Sequence, residues 1–156
     1  MGLEIERKFL VLGDDWRKCA GPASTLRQAY IHNDGRASVR VRIDEAGPAY
    51  LTIKSAEAGT SRAEFEYAIP ADEAREILEL RTGSIVEKRR YRISHEGKLW
   101  EIDEFTGENA GLVIAEIELS DPHENFSKPT WVGREVTDDA QYFNASLAKK
   151  PFRDWS

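Results

Sequence analysis

Like charges recur one residue apart along this chain of 156 residues. Glu4 and Glu6 are followed at the same spacing by Lys8, and Arg40 and Arg42 repeat it in base. So do Glu64 and Glu66, then Lys88, Arg90 and Arg92, then Glu101 and Asp103, and last Glu116 and Glu118. In an extended strand every second side chain points to the same face, so each pair presents two like charges to one side. Two neighbouring guanidinium groups call for an anion, and phosphate oxygens match their planar fork. Two neighbouring carboxylates call for a cation, and hard divalent ions take carboxylate oxygens. A polyanion carrying divalent metals satisfies both.

Such pairs need strands to carry them. Period-two alternation predicts strands over Leu3–Val11, Thr25–His32, Ala37–Asp44, Ala49–Ser55, Arg62–Ile69, Ile85–His95, Lys98–Phe105 and Leu112–Ser120. Asn33-Asp34-Gly35, Glu45-Ala46-Gly47-Pro48, Glu57-Ala58-Gly59 and Glu96-Gly97 favour tight reversals, hence antiparallel neighbours. Pro70–Leu80 reads as a helix that stops near Gly83. Thr137–Lys149 reads as another, capped by Thr137, with Asp138 and Asp139 in its first turn, and ended by Lys149 and Lys150 before Pro151. A short helical piece is expected around Asp14–Cys19. The expected fold is α+β, mainly β: one antiparallel β-barrel over residues 1–156 with helices packed outside it.

Polar-out alternation is also what a half-solvated sheet shows. Here, however, nearly every strand carries two or three charges on its polar face, and the signs come in blocks. Acids occupy the first, fifth, seventh and eighth strands, and bases the third, fourth and sixth. Closing the sheet with its apolar face outward makes a tunnel with acidic and basic walls. Opposite charges ~4 Å apart attract by roughly 4 kcal/mol at an effective dielectric of ~20, so the walls hold one another. A membrane barrel has the same polarity, but the opening MGLEIERKFLV lacks a signal peptide's apolar run, and the helices need a surface to pack on.

The net charge of −6 argues against a general nucleic-acid binder. One cysteine, Cys19, allows no disulfide framework and suits a reducing compartment; it is expected to be packing. No stretch reaches transmembrane length, so the expected location is cytoplasmic. Expected partners are a small molecule, with no nucleic acid and no membrane, and a homodimer is admitted. His32, His95 and His123 show no ligand spacing, and the four tryptophans read as outer-face or helix packing.

At these residues the sequence resembles the CYTH proteins, or triphosphate tunnel metalloenzymes. Their signature is Glu-x-Glu-x-Lys at the extreme N-terminus, and this chain has Glu4-Ile5-Glu6-Arg7-Lys8. Arg40-Val41-Arg42, Thr52-Ile53-Lys54, Glu64-Phe65-Glu66, Lys88-Arg89-Arg90, Trp100-Glu101-Ile102-Asp103 and Glu116-Ile117-Glu118 follow in the family's order, and Trp131–Thr137 is similar to its stretch before the last helix. The resemblance implies an eight-stranded antiparallel β-barrel, a triphosphate along its axis, and Mg²⁺ or Mn²⁺ as cofactor. It implies inorganic triphosphatase activity first, with thiamine triphosphatase and class IV-type adenylate cyclase as alternatives. A non-catalytic polyphosphate- or nucleotide-binding module and a purely structural charged barrel are the readings of another class.

On that footing Glu4, Glu6, Glu116 and Glu118 are the expected metal ligands, since the first and last strands of a closed barrel can lie side by side. Lys8, Arg40, Arg42, Lys54, Lys88 and Arg90 are the expected phosphate contacts. Glu66 and Asp103 either hold a second metal or orient lysine and arginine. The resemblance makes Tyr30 a candidate proton acceptor, although a phenol ionises near pH ~10 unless cations lower it, and a buried hydrogen-bonding role is the alternative. Arg62 and Arg92, near strand ends, are expected to be solvated.

Overall fold

A computed structural model describes residues 3–55 and 61–155; the expected turn at Glu57-Ala58-Gly59 lies outside them. The alternating stretches are strands: β1 (Leu3–Val11), β2 (Ser24–Asn33), β3 (Ala37–Asp44), β4 (Ala49–Ser55), β5 (Ser61–Ile69), β6 (Thr82–His95), β7 (Lys98–Thr106) and β8 (Val113–Glu118). They pair antiparallel in the order β5-β4-β3-β2-β6-β7-β8-β1, and β1 returns to β5 to close the barrel. A ninth strand, β9 (Val132–Glu135), was not expected from the pattern. It completes one edge of β1, whose Leu3–Ile5 pair with β5 while Phe9 and Val11 pair with β9.

Local chemistry sets the reversals. Asp34 accepts backbone N–H bonds from Arg36 and Ala37, which folds the chain between β2 and β3. Between β6 and β7, Glu96 and Gly97 both have positive φ, 47° and 80°. Two such residues make the primed turn whose twist matches antiparallel strands.

The apolar faces point outward and most of their area is covered, although Ile53, Phe65 and Tyr67 on β4 and β5 are exposed. On one side α1 (Ala71–Leu78) lays Ala74 and Leu78 on Ala29, Val41, Ile43 and Ala49. On the other, Phe9, Ile93, Trp100, Ile102 and Ile117 pack under Trp16, Phe126 and Trp131. Trp100 meets Phe9, Phe126 and Trp131 at ring separations of 5.6–5.7 Å, tilted or edge-on; each such pair stabilises by about 0.5–1.5 kcal/mol beyond its buried area. Trp16 comes from a 3₁₀ turn at Asp15–Cys19, close to the expected helical piece. Cys19, expected to pack, is exposed, because this turn buries its face on the Trp16 side only.

The expected helix over Thr137–Lys149 is broken. Thr137 caps nothing: its Oγ1 accepts the Lys8 amide at 3.0 Å, and the Val136 amide donates to the Lys8 carbonyl at 2.8 Å, so this segment is tied to the edge of β1. A 3₁₀ turn at Ala140–Tyr142 follows, then extended Phe143, then the short helix α2 (Asn144–Lys149). Where the helices pack also differs between the two. Whereas α1 lies outside, α2 sits across one end of the barrel. Val86, Phe105 and Ile114 share the inward faces of Lys88, Asp103 and Glu116, and with Tyr30 they form a cluster with Tyr142, Leu147 and Ala148. The interior is therefore charged along most of its length and apolar where α2 closes it.

Gly83 makes that closure possible. Its φ is +74°, and a Cβ there would stand 2.6 Å from the Ala148 carbonyl oxygen. Gly83→Ala is expected to cost on the order of 1–3 kcal/mol through the left-handed backbone alone, and to displace α2 as well. Chemical denaturation compared with wild type checks this; an unchanged midpoint would refute it. No helix among the described residues is long and apolar enough to cross a membrane.

Candidate active site

The barrel interior is a cavity of about 560 Å³. Among the described residues seven acids and seven bases line it, so their pull on an ion comes from how the signs are arranged rather than from an excess of either. The sheet order arranges them in two halves. Lys54 on β4, Arg40 and Arg42 on β3, and Lys88, Arg90 and Arg92 on β6 stand on the contiguous run β4-β3-β2-β6. Glu101, Glu116, Glu118, Glu4, Glu6, Glu64 and Glu66 stand on the complementary run β7-β8-β1-β5. Lys8 is the exception, a base on the acidic side.

At the seam between the halves one buried carboxylate, Asp103 on β7, serves two cations of β6. Asp103 takes Arg90 in a two-bond fork at 2.8 and 2.9 Å and stands 2.8 Å from Lys88 Nζ. Burial would raise the Asp103 pKa, but Arg90 and Lys88 outweigh it and bring it down to about 2. Asp103 thus stands between the two bases and contacts both. A single charge cannot compensate both: burial, with Arg90 adding to it against the pull of Asp103, pushes Lys88 down to about 8. Burial, then Arg40 and Arg90, likewise push Arg42 down to about 10. This wall is short of negative charge. Glu66 stands 3.5 Å from Arg42 at the more open side, a loose pair.

The acidic half is crowded in the opposite sense. Glu6 faces Glu118 directly across the β1–β8 ladder, and Lys8 faces Glu116. Directly opposed like charges destabilise a sheet. Lys8 relieves part of it, with Nζ 3.2 Å from Glu6 and 3.0 Å from Glu116. Burial would raise Glu6, but Lys8 and Lys54 bring it down to about 2. Lys54 holds Glu4 at 2.9 Å and Glu64 at 3.4 Å. Glu118 has no ion pair among the described residues, and its pKa is raised, first by burial and then by Glu4, Glu64, Glu6 and Glu101.

The structure thus brings together Glu4, Glu6, Glu116 and Glu118 with Lys8, Arg40, Arg42, Lys54, Lys88, Arg90 and Glu66 around one cavity, Asp103 supporting them from behind. It does not bring Tyr30 there. That residue is buried among Val86, Phe105, Leu112 and Leu147 at the closed end, where the β2–β6 register shifts between Gln28 and Tyr30. Arg92 is exposed, as expected, at the rim of the cavity, whereas Arg62, expected to be solvated, is buried with its guanidinium 4.6 Å above the Phe143 ring. Glu64 and Glu101 also line the cavity; their alternation was legible, but nothing local ranked them with the others. Asn144 was missed outright. It opens α2, lines the cavity, and left no signal in the sequence because the segment read as the middle of a longer helix.

The donor set suits a hard divalent ion, being carboxylate oxygen alone on adjacent strands, and Glu118 marks unrelieved negative charge. As placed, no three such groups among the described residues converge to hold a metal: Lys8 and Lys54 draw Glu6, Glu116 and Glu4 to themselves.

A closed antiparallel barrel with opposed acidic and basic interior halves defines a class that binds a polyanion together with cations. The chain belongs to the CYTH domain family, whose profile matches residues 2–152. It is 51% identical over 157 residues to the inorganic triphosphatase of Acetivibrio thermocellus, covering 99% of both chains. It is 36% identical over 149 residues to the inorganic triphosphatase of Nitrosomonas europaea, covering 93% of this chain and 96% of that one. A crystal structure of an inorganic triphosphatase superposes with a TM-score of 0.65 at 34% identity, covering 93% of each chain.

Proposed function

We propose that this protein hydrolyses a triphosphate with the help of a divalent metal, inorganic tripolyphosphate being its substrate. The observation that carries the reading is the two-sided interior: a basic wall short of negative charge faces an acidic wall short of positive charge across one cavity. The two triphosphatase relatives, at 51% and 36% identity over nearly the whole chain, support it. Among the described residues the apolar lining is Leu99 and Leu119, which offers little for a nucleobase to stack on. This favours an inorganic substrate over the cyclase alternative.

In this reading Arg40, Arg42 and Arg90 take phosphate oxygens in their planar forks, while Lys88, Lys54 and Lys8 act as compact point charges. Glu4, Glu6, Glu116 and Glu118 would hold Mg²⁺ or Mn²⁺, which would supply neutralisation of the phosphate charge. Lys8 and Lys54 would then turn from glutamate to phosphate. Water attacks a terminal phosphorus, its P–O bond forming as the anhydride bond breaks, and orthophosphate and pyrophosphate leave. Such transfer needs little covalent chemistry, so positioning and charge carry most of the catalysis. Tyr30 serves packing at the closed end. The same reading treats residues 1–156 as one domain working in the cytoplasm on a small molecule, without nucleic acid or membrane.

A phosphate-release screen across tripolyphosphate, thiamine triphosphate, ATP and pyrophosphate with Mg²⁺ and Mn²⁺, with cyclic AMP measured alongside, tests this. Tripolyphosphate is expected to be preferred by roughly tenfold or more, because removing complementary contacts to a polyanion costs about that much each, and chelation should abolish turnover. Cyclic AMP formed without orthophosphate release would overturn the reading.

A further inference from the structure

We propose that Asn144 is a positioning residue for phosphoryl transfer, its side-chain oxygen aiming the Lys88 ammonium group into the cavity. This rests on the triphosphatase reading and adds a residue to it. Among the described residues of α2, Asn144 is the one that lines the cavity. Its Oδ1 accepts Gln28 Nε2 from β2 at 3.0 Å and Lys88 Nζ from β6 at 3.2 Å. An amide oxygen has two lone pairs, so both are engaged. The orientation is forced, because an ammonium only donates: it must face Oδ1 rather than Nδ2, and Gln28 must then present its own Nε2. That choice leaves Gln28 Oε1 buried without a hydrogen-bond partner among the described residues. Leaving a buried acceptor unsatisfied is unfavourable, yet the arrangement keeps it.

The consequence falls on Lys88, whose side chain is 1% exposed. Asp103 Oδ2 stands 2.8 Å from Nζ on one side, and Asn144 Oδ1 holds it from another. Two of the three N–H bonds are thereby directed by partners on separate elements, which leaves the third for the cavity. Asp103 cannot set this direction alone, since both its oxygens also serve the Arg90 fork. An amide suits the place better than a carboxylate would. Aspartate would accept the same two hydrogen bonds, but would add negative charge facing a polyanion.

Steady-state kinetics with tripolyphosphate and melting temperatures would be measured for wild type, Asn144→Ala, Asn144→Asp, Lys88→Ala, the Lys88→Ala/Asn144→Ala double variant and Leu147→Val. Asn144→Ala is expected to lower kcat about tenfold with KM changed less than about threefold, as misaiming a reacting-group contact does. Asn144→Asp, which keeps both acceptors and so guards against a folding defect in the alanine variant, should hold kcat within about threefold and raise KM about tenfold. In the Lys88→Ala background, Asn144→Ala should cost less than about twofold more, because its effect passes through Lys88. Leu147→Val loosens the same helix without touching Lys88, and should lower the melting temperature while kcat stays within about twofold. Additive losses in the double variant, loss of kcat in Asn144→Asp, or loss of kcat in Leu147→Val in step with its melting temperature would each overturn the proposal. A wild-type protein inactive on tripolyphosphate would instead remove the triphosphatase reading, and is visible without any variant.

Discussion

Glu118→Gln is expected to lower tripolyphosphate turnover by on the order of 10²-fold or more, the scale seen when a charge-stabilising group is removed from an active site, while the metal-free protein melts at the same temperature or slightly higher. The two halves of that result have separate causes. Glutamine keeps the volume and hydrogen-bonding capacity of glutamate but removes the charge a hard cation needs. Glu118 also has no ion pair to lose among the described residues and is crowded by Glu4, Glu6, Glu64 and Glu101, so neutralising it relieves repulsion. Glu4→Gln should lose activity similarly but also loses its pair with Lys54 at 2.9 Å, and should not gain stability. A ligand stabilises only through its affinity for the folded state, about 2.7 kcal/mol at 100 times Kd. Added Mn²⁺ should therefore raise the melting temperature of wild type more than that of either variant. Equal metal-induced shifts with retained turnover would move the metal away from these carboxylates.

Asp103→Asn is expected to destabilise the protein by about 3–5 kcal/mol at pH 7, the cost of removing one partner from a buried charge pair. Arg90 keeps Glu101 at 3.4 Å and Lys88 keeps Asn144, which sets the effect toward the lower end. The same residue shapes the acid limb. Asp103 and Glu6 both have folded-state pKa values of about 2, below the ordinary carboxylate range, because their cationic neighbours outweigh burial. Between those values and about pH 4.5 the unfolded chain binds more protons than the folded one. The stabilisation is therefore complete above about pH 4.5 and is lost as pH falls toward 2. At 1.36 kcal/mol per pH unit of displacement, each group contributes on the order of 2–3 kcal/mol. Glu118, displaced upward, works in the opposite direction from its ordinary pKa upward, and more weakly because it is exposed. Denaturant midpoints measured from pH 7 to pH 2.5 should fall steeply for wild type and less steeply for Asp103→Asn. Parallel curves would show that Asp103 is not the ionised partner of Lys88 and Arg90.

Alternation alone determined much of this protein. It placed the strands, usually to within a residue or two, because period two is imposed by the pleat and holds whatever lies on the other face. It also determined which strand carries which sign, and so the two kinds of counter-ion the interior needs. It did not reach β9, whose four residues carry no apolar alternation and form a strand only because the edge of β1 lies beside them. Nor did it reach the break before α2: Thr137, Asp138 and the closing lysines are sound helix signals, but the Val136 and Thr137 bonds to Lys8 hold that segment to the sheet.

What only the tertiary structure decided is that the signs gather into halves. In chain order the acidic strands are the first, fifth, seventh and eighth, scattered among the basic ones. The return from β5 through α1, which lays β6 beside β2, and the closure of β1 on β5 set β7, β8, β1 and β5 side by side, and β4, β3 and β6 with β2 opposite. The same closure put Asn144 against Lys88 and left Tyr30 beneath α2. Pairing between strands far apart in sequence depends on the whole sheet finding one closed order, and the residues of any one strand carry no record of it.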